Sequence, residues 1–194
     1  MAASTSAGIR RIGGLMMASS TPRIQVPPEV CPDLTLLFQK GLRVDIETGC
    51  TVRSLLLDQW HLPVEVVTKR ISTLFLNGKP VDDMDEALVR DGAVLALSSA
   101  MPGLVGAVMR RGGFYASLRN GITYHETATK VDVHKGTITV KLFNLLIGEL
   151  GPLFLQRGFR VFRRDLPDSI TYESEGFGEP NCEVFIIAQP PSSC

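Results

Sequence analysis

Four residues could hold a metal ion if the chain brought them together: His125 and Glu126 in one stretch, Asp132 and His134 in the next. Imidazole and carboxylate are donors that zinc takes, and three or four of them on one face would make a centre. The pattern puts His134 at a predicted turn and His125 in a loop upstream, so solvated histidines account for the same residues. "RGFRVFRRDLP", residues 157–167, interleaves Arg157, Arg160, Arg163 and Arg164 with Phe159 and Phe162. Phosphate contact combined with base stacking uses such a mixture. An amphipathic edge strand paired with acids elsewhere in the chain uses it equally. Cys50 stands just before a predicted helix, where a thiol is either activated by the helix amino terminus or simply fills a small buried space.

Other chemistry finds no residues to carry it. Cys31, Cys50, Cys182 and Cys194 include no C-x-x-C pair, which rules out zinc-ribbon and thioredoxin-like motifs. "PGLVGAVMRRGG" (102–113) is rich in glycine but lacks the Lys-Ser/Thr of a phosphate-binding loop. No Ser-His-Asp or Cys-His arrangement is visible, so no catalytic residue is assigned, no cofactor is called for, and a non-enzyme is the expectation.

The elements that must position these residues are clearest in the first half. Residues 1–30 carry Ala, Ser and three arginines against one acid, Glu29. They read as a disordered leader, with an organelle transit peptide as the alternative. "LTLLFQ" (34–39), Lys40-Gly41 and "LRVDIE" (42–47) predict a hairpin, because Leu42, Val44 and Ile46 alternate with Arg43, Asp45 and Glu47. Thr51 is placed to cap a helix over 52–60, where Val52, Leu55, Leu56, Gln59 and Trp60 recur at helical spacing. "ISTLFL" (71–76) is a predicted strand that ends at Asn77-Gly78, the strongest short-range turn signal in the chain. A short turn over 84–92 and an apolar strand, "AVLALS" (93–98), complete the unit.

Residues 101–121 hold five glycines and read as a loop or broken helix. "TKVDVHKGTITVKLF" (129–143) predicts a hairpin about Lys135-Gly136, with Val131 and Val133 facing Ile138 and Val140. "NLLIGELGPLFLQRG" (144–158) predicts an apolar helix interrupted at Gly151-Pro152, and "FRVFRR" and "EVFIIAQ" are further strand candidates. The predicted fold class is α+β.

Net charge is zero over 194 residues, but its distribution is uneven. Residues 101–164 carry ten basic and three acidic side chains, whereas 165–194 carry six acids and no base. An acidic tail laid over the basic segment is the reading adopted, in preference to nucleic-acid binding. No apolar run approaches the length of a membrane span, so no membrane partner is expected. The reduced thiols implied by the cysteine spacing suit the cytoplasm.

The order strand, strand, helix, strand, short turn, strand is that of the β-grasp (ubiquitin-like) fold. "TVRSLLLDQWHLP", "LFLNGKPVDD" and "ALVRDGAVLALSSAMPG" further resemble the sulfur carriers MoaD and ThiS, of molybdopterin and thiamine synthesis. The resemblance covers residues 34–103 and implies a β-grasp domain over 31–100, followed by an extension over 101–194. It also implies a protein partner, of the E1-like or cofactor-synthesis class. The family's chemistry belongs to a free carboxyl-terminal Gly-Gly, which an E1-like enzyme adenylates. Here the chain continues for 91 residues past Gly103. An intact peptide bond cannot be adenylated, so the expected role is a non-catalytic accessory or binding protein. "MRRGG" (109–113) resembles the Arg-Gly-Gly ending of ubiquitin-like proteins. Cleavage after Gly113 would give Gly112 and Gly113 the carrier's tail. A third alternative is an enzyme whose site lies between the two halves.

Overall fold

A computed structural model describes residues 21–127, 132–170 and 179–190. Eight strands form one mixed sheet: β1 Arg23–Val26, β2 Leu42–Glu47, β3 Thr73–Leu76, β4 Lys79–Pro80, β5 Val94–Ser98, β6 Lys135–Phe143, β7 Phe159–Phe162 and β8 Glu183–Ala188. Their order in space is β1-β8-β7-β2-β6-β5-β3-β4. Four α-helices accompany the sheet: α1 Thr35–Lys40, α2 Val52–Ser54, α3 Gly103–Met109 and α4 Leu145–Arg157. The molecule is therefore a mixed α/β protein, within the α+β class that the sequence predicts. Strands β6, β7 and β8, from the 101–194 portion, lie in the same sheet as strands from 31–100.

Alternation decides which side of the sheet is buried. Leu42, Val44 and Ile46 of β2 pack with Ile138, Val140 and Leu142 of β6, Leu95 and Leu97 of β5, and Val184 and Ile186 of β8. The helices supply the opposing side chains: Leu37 and Phe38 from α1, Leu146, Leu150, Phe154 and Leu155 from α4, Leu55 and Leu56 beyond α2. Edge-to-face ring pairs join the layers, Trp60 on Phe154 at 5.0 Å and Phe38 on Phe159 at 6.0 Å between centroids.

Two local predictions rest on specific chemistry that the structure contains. The Thr51 hydroxyl accepts the Ser54 N–H at 3.2 Å and caps α2. Asn77 and Gly78 both take positive φ, 52° and 79°, between β3 and β4. The Asn77 side-chain oxygen also accepts the Val94 N–H at 2.8 Å, tying the turn to β5.

Four elements differ from expectation. Residues 23–26, read as part of a disordered leader, form β1 and run parallel to β8. The stretch read as a first strand, 34–39, is helical: Leu34, Leu37 and Phe38 are buried while Leu36 is exposed, an i, i+3, i+4 pattern that a continuous apolar run conceals. The antiparallel partner of β2 is instead β6, which also runs parallel to β5. No hairpin turn occurs at Lys135-Gly136, because these residues begin β6 and pair with Glu47 and Ile46. Val131 lies outside the described residues, and Val133 is exposed. Gly136 serves close approach rather than a turn, since a Cβ there would stand 2.6 Å from Thr48 Cγ2 and 2.7 Å from Asp91 Oδ1. Finally, α4 continues unbroken through Gly151-Pro152. Five of its thirteen residues are buried, and that packing outweighs the one backbone hydrogen bond that proline removes.

After α2 the chain makes a π-helix over Leu55–Gln59, and a second follows at Val66–Arg70. Wide turns of this kind leave carbonyls at their ends that need donors from elsewhere. Distant arginines supply them. Arg157, at the end of α4, donates to Gln59 O at 3.2 Å and Trp60 O at 2.6 Å. Arg111 donates to Val67 O at 3.1 Å and Ile71 O at 3.4 Å.

Candidate docking surface

The predicted metal ligands do not assemble. Glu126 accepts from Arg90 Nη2 and from the Tyr124 hydroxyl, both at 2.6 Å, and His134 Nδ1 lies 3.1 Å from the Thr48 hydroxyl. Asp132 meets Thr48 through its backbone carbonyl at 3.2 Å, and His125 is exposed. No group of three His, Cys, Asp or Glu among the described residues could hold a metal. Glu126 and His134 face different neighbours, Asp132 reaches Thr48 only through its backbone, and the exposed His125 fits the reading of solvated histidines.

The four arginines of 157–164 likewise form no common face. Arg157 closes the π-helix at Gln59–Trp60. Arg160 pairs with Asp45 and Glu183, and Arg164 reaches Asn181 while standing 4.8 Å from the Phe162 ring. Arg163 opens a 3-10 turn, with its backbone N–H on Cys182 O at 2.9 Å. Of the acids after residue 164, Asp165 pairs with Lys40 and Glu183 with Arg43 and Arg160, and of these bases only Arg160 belongs to the basic segment 101–164. Cys50 offers no activated thiol: burial pushes it up first, and Glu47 and Asp58 add to the effect. Burial pushes up Cys31 as well.

Gly112-Gly113 falls in a folded turn rather than an extended tail. Gly112 has φ +60° and donates its N–H to Asp82 Oδ1 at 3.3 Å. The Gly113 N–H returns to Arg110 O at 3.2 Å, and Gly113 O accepts from Ala116 N at 3.0 Å as the 3-10 helix Phe114–Arg119 begins. Helix α3, the Gly-Gly turn and this 3-10 helix make one appendage over 102–124, which rejoins the sheet where Tyr124 N–H meets Pro80 O at 2.8 Å.

Two arginines hold the appendage, and neither was assigned a role by sequence. Arg119, with its side chain only 1% exposed, grips Asp82 through both terminal nitrogens at 2.9 and 2.6 Å. Its remaining N–H groups reach Val108 O at 2.7 Å, the Thr123 hydroxyl at 2.9 Å and Arg110 O at 3.4 Å. All five guanidinium donors are thereby used. Arg111 donates its backbone N–H to Ser72 O at 2.8 Å and rests its guanidinium on Met84 and the π-helix carbonyls. Burial pulls its pKa down, with Arg53 adding to the effect and Asp82 opposing it.

What these anchors present is apolar. Ten large hydrophobic residues are exposed among the described residues, and six lie on the appendage: Leu104, Val105, Phe114, Tyr115, Leu118 and Ile122. The other four, Leu36, Val64, Val133 and Leu145, are scattered. Phe114 is 90% exposed and packs edge-to-face only on its neighbour Tyr115, at 5.1 Å. At the root of the appendage, Phe75, Ala96, Phe143, Met101 and Pro102 line a recess of about 440 Å³. Asn144 stands on its rim with φ +57° and donates to Ser98 Oγ at 2.9 Å. A grouped apolar surface on a polar-anchored support is the form of an interaction site. The sequence signal was the glycine-rich run itself, since its apolar residues follow no burial period.

Compared with known proteins, the chain matches no family model, no curated protein and no solved structure.

Proposed function

We propose that the chain is a non-catalytic accessory protein that docks a polypeptide partner on the 102–124 appendage. The observation that carries this reading is the concentration of exposed apolar side chains on a segment whose own backbone is fixed by two arginines. A surface held rigid before binding loses less entropy on association than a loose one. Among the described residues no helix is long and apolar enough to cross a membrane.

The scaffold we infer is a β-grasp related to the sulfur carriers of molybdopterin and thiamine synthesis. The succession β2, α2, β3, turn, β5 supports it, together with the resemblance of residues 34–103 to MoaD and ThiS. In this reading β6 takes the place beside β2 that the first strand of the unit would otherwise fill. An E1-like or cofactor-synthesis enzyme is the partner class that follows from the same resemblance. The folded state of Gly112-Gly113 favours docking over the carrier chemistry of a free tail.

A benzophenone side chain placed at position 114, in cells that express the full chain, tests the proposal. Irradiation is expected to give a discrete polypeptide adduct that disappears when Leu104 and Leu118 are changed to Ser. Those exposed substitutions should move folding stability by less than about 0.5 kcal/mol. The same probe at Leu36 on α1 is expected to give none. Equal adducts from both positions would remove the reading, and a native species ending at Gly113 with a thiocarboxylate mass would replace it with a processed carrier.

A further inference from the structure

Beside the appendage, between α3 and the π-helix Val66–Arg70, runs a groove of about 360 Å³. Its lining is small and cationic: Lys69 and Arg110 supply charge, while Gly103, Gly106 and Ala107 present almost no side chain along the α3 wall. Ser72, Ser99, Ala100 and Met101 complete it, and Ser99 Oγ is a buried hydroxyl without a hydrogen-bond partner. Among the described residues no carboxylate lines the groove. Residues 101–125 contain three arginines and no acid. Arg119 is neutralised by Asp82, and Arg111 is turned inward to carbonyls, so Arg110 is the exposed charge of the appendage. Lys69 has one carboxylate contact, Glu65 at 3.0 Å one helical turn away, with both side chains more than two-thirds exposed. A pair so open to water contributes little and yields readily to a competing anion.

Resting on the docking reading above, we infer that the groove takes a carboxylate of the docked polypeptide, seated between Lys69 and Arg110. Gly103, with open space where a side chain would stand, and the small Ala107 let a peptide backbone approach the α3 wall, while Gly106 is packed on the Met101 carbonyl. Leu104, beside this wall on the same helix and exposed, meets an apolar side chain that flanks the acid. The partner segment is therefore acidic and apolar together. Charge complementarity sets its register, and the apolar contacts supply most of the affinity.

The probe is a random twelve-residue peptide library displayed on phage and selected on the full chain. Recovered sequences are expected to place Asp or Glu beside Leu, Ile or Phe. Synthetic copies should bind about tenfold or more weaker to the double variant Lys69→Glu, Arg110→Glu, and that loss should shrink as salt rises. Lys79→Glu, on the β4 edge, should leave binding unchanged. Selected peptides without acids, or equal binding to the double variant, overturn the carboxylate site. If Leu104→Ser and Phe114→Ser then still abolish binding, the docking reading stands alone. Failure to enrich any peptide counts against the docking reading itself, and the groove inference falls with it. Co-sedimentation of the wild-type chain with phosphatidylserine vesicles, lost in the double variant, would transfer the anion to a membrane and overturn the polypeptide assignment.

Discussion

The sheet body and the 102–124 appendage are built on opposite plans. In the body, apolar side chains from β2, β5, β6 and β8 point inward and charged groups such as Arg43 and Asp45 point out. In the appendage the buried group is a guanidinium and the outward groups are Leu104, Phe114 and Leu118. The body is held by area removed from water, which tolerates some change of shape. The appendage is held by hydrogen bonds that require particular atoms at particular places. In the appendage the polar anchors supply the cohesion, and the apolar side chains stay outside it.

The contrast can be broken at its strongest point first. Phe154→Ala removes a ring buried between Trp60 and the sheet, and should cost about 3–5 kcal/mol in urea-induced unfolding. That loss is expected to be global, lowering protection of body and appendage amides alike in hydrogen exchange. Arg119→Ala should cost about 3 kcal/mol locally, because it removes the charged partner of Asp82 and the side-chain donor to the Val108 carbonyl. Exchange should then quicken across 103–122 while β2, β5 and β6 keep their protection. Arg119→Lys should recover only part of the loss, since one ammonium cannot reach five acceptors. Uniform exchange across the whole chain in Arg119→Ala would show that the two regions are one cooperative unit.

The smallest expected effect is a pH dependence. The thiols of Cys31 and Cys50 and the Tyr124 hydroxyl are all pushed up, chiefly by burial, so the folded state holds these protons longer than the unfolded chain. The thiols' contribution to stability is complete below about pH 8.5, the ordinary thiol value, and is lost as pH rises above it, whereas that of Tyr124 is lost only above about pH 10. Denaturation at pH 8 and pH 10 should show the decline, and iodoacetamide should modify the folded thiols more slowly than the unfolded ones at pH 8.

Which parts were legible follows from the range of the forces involved. The Thr51 cap on Ser54 and the Asn77-Gly78 turn involve only residues within a few positions of one another, and residue type alone announces them. The alternation in 42–47 likewise fixed a buried face. The run 34–39 defeated the same approach, because "LTLLF" is apolar at both strand and helix spacing and only the burial of Leu34, Leu37 and Phe38 separates the two. Gly136 misled for a related reason. A glycine demanded by Thr48 and Asp91, distant in sequence, looks identical to one demanded by a turn.

The appendage was less legible still. The Arg-Gly-Gly run drew notice for its likeness to a carrier tail, whereas its structural work is done by Arg111 and by Arg119 beyond it. Asp82 lies 37 residues before Arg119, and no local pattern links them.

The sequence by itself determined an α+β chain of amphipathic strands, a capped helix after Thr51 and a tight turn at Asn77-Gly78. Each of these is set by side-chain period or by backbone chemistry within a few residues. Only the tertiary structure decided that β6 lies between β2 and β5, that Gly112-Gly113 is folded into a turn, and that Arg119 is buried against Asp82. Those outcomes depend on groups far apart in the chain, whose proximity is produced by closing the common core.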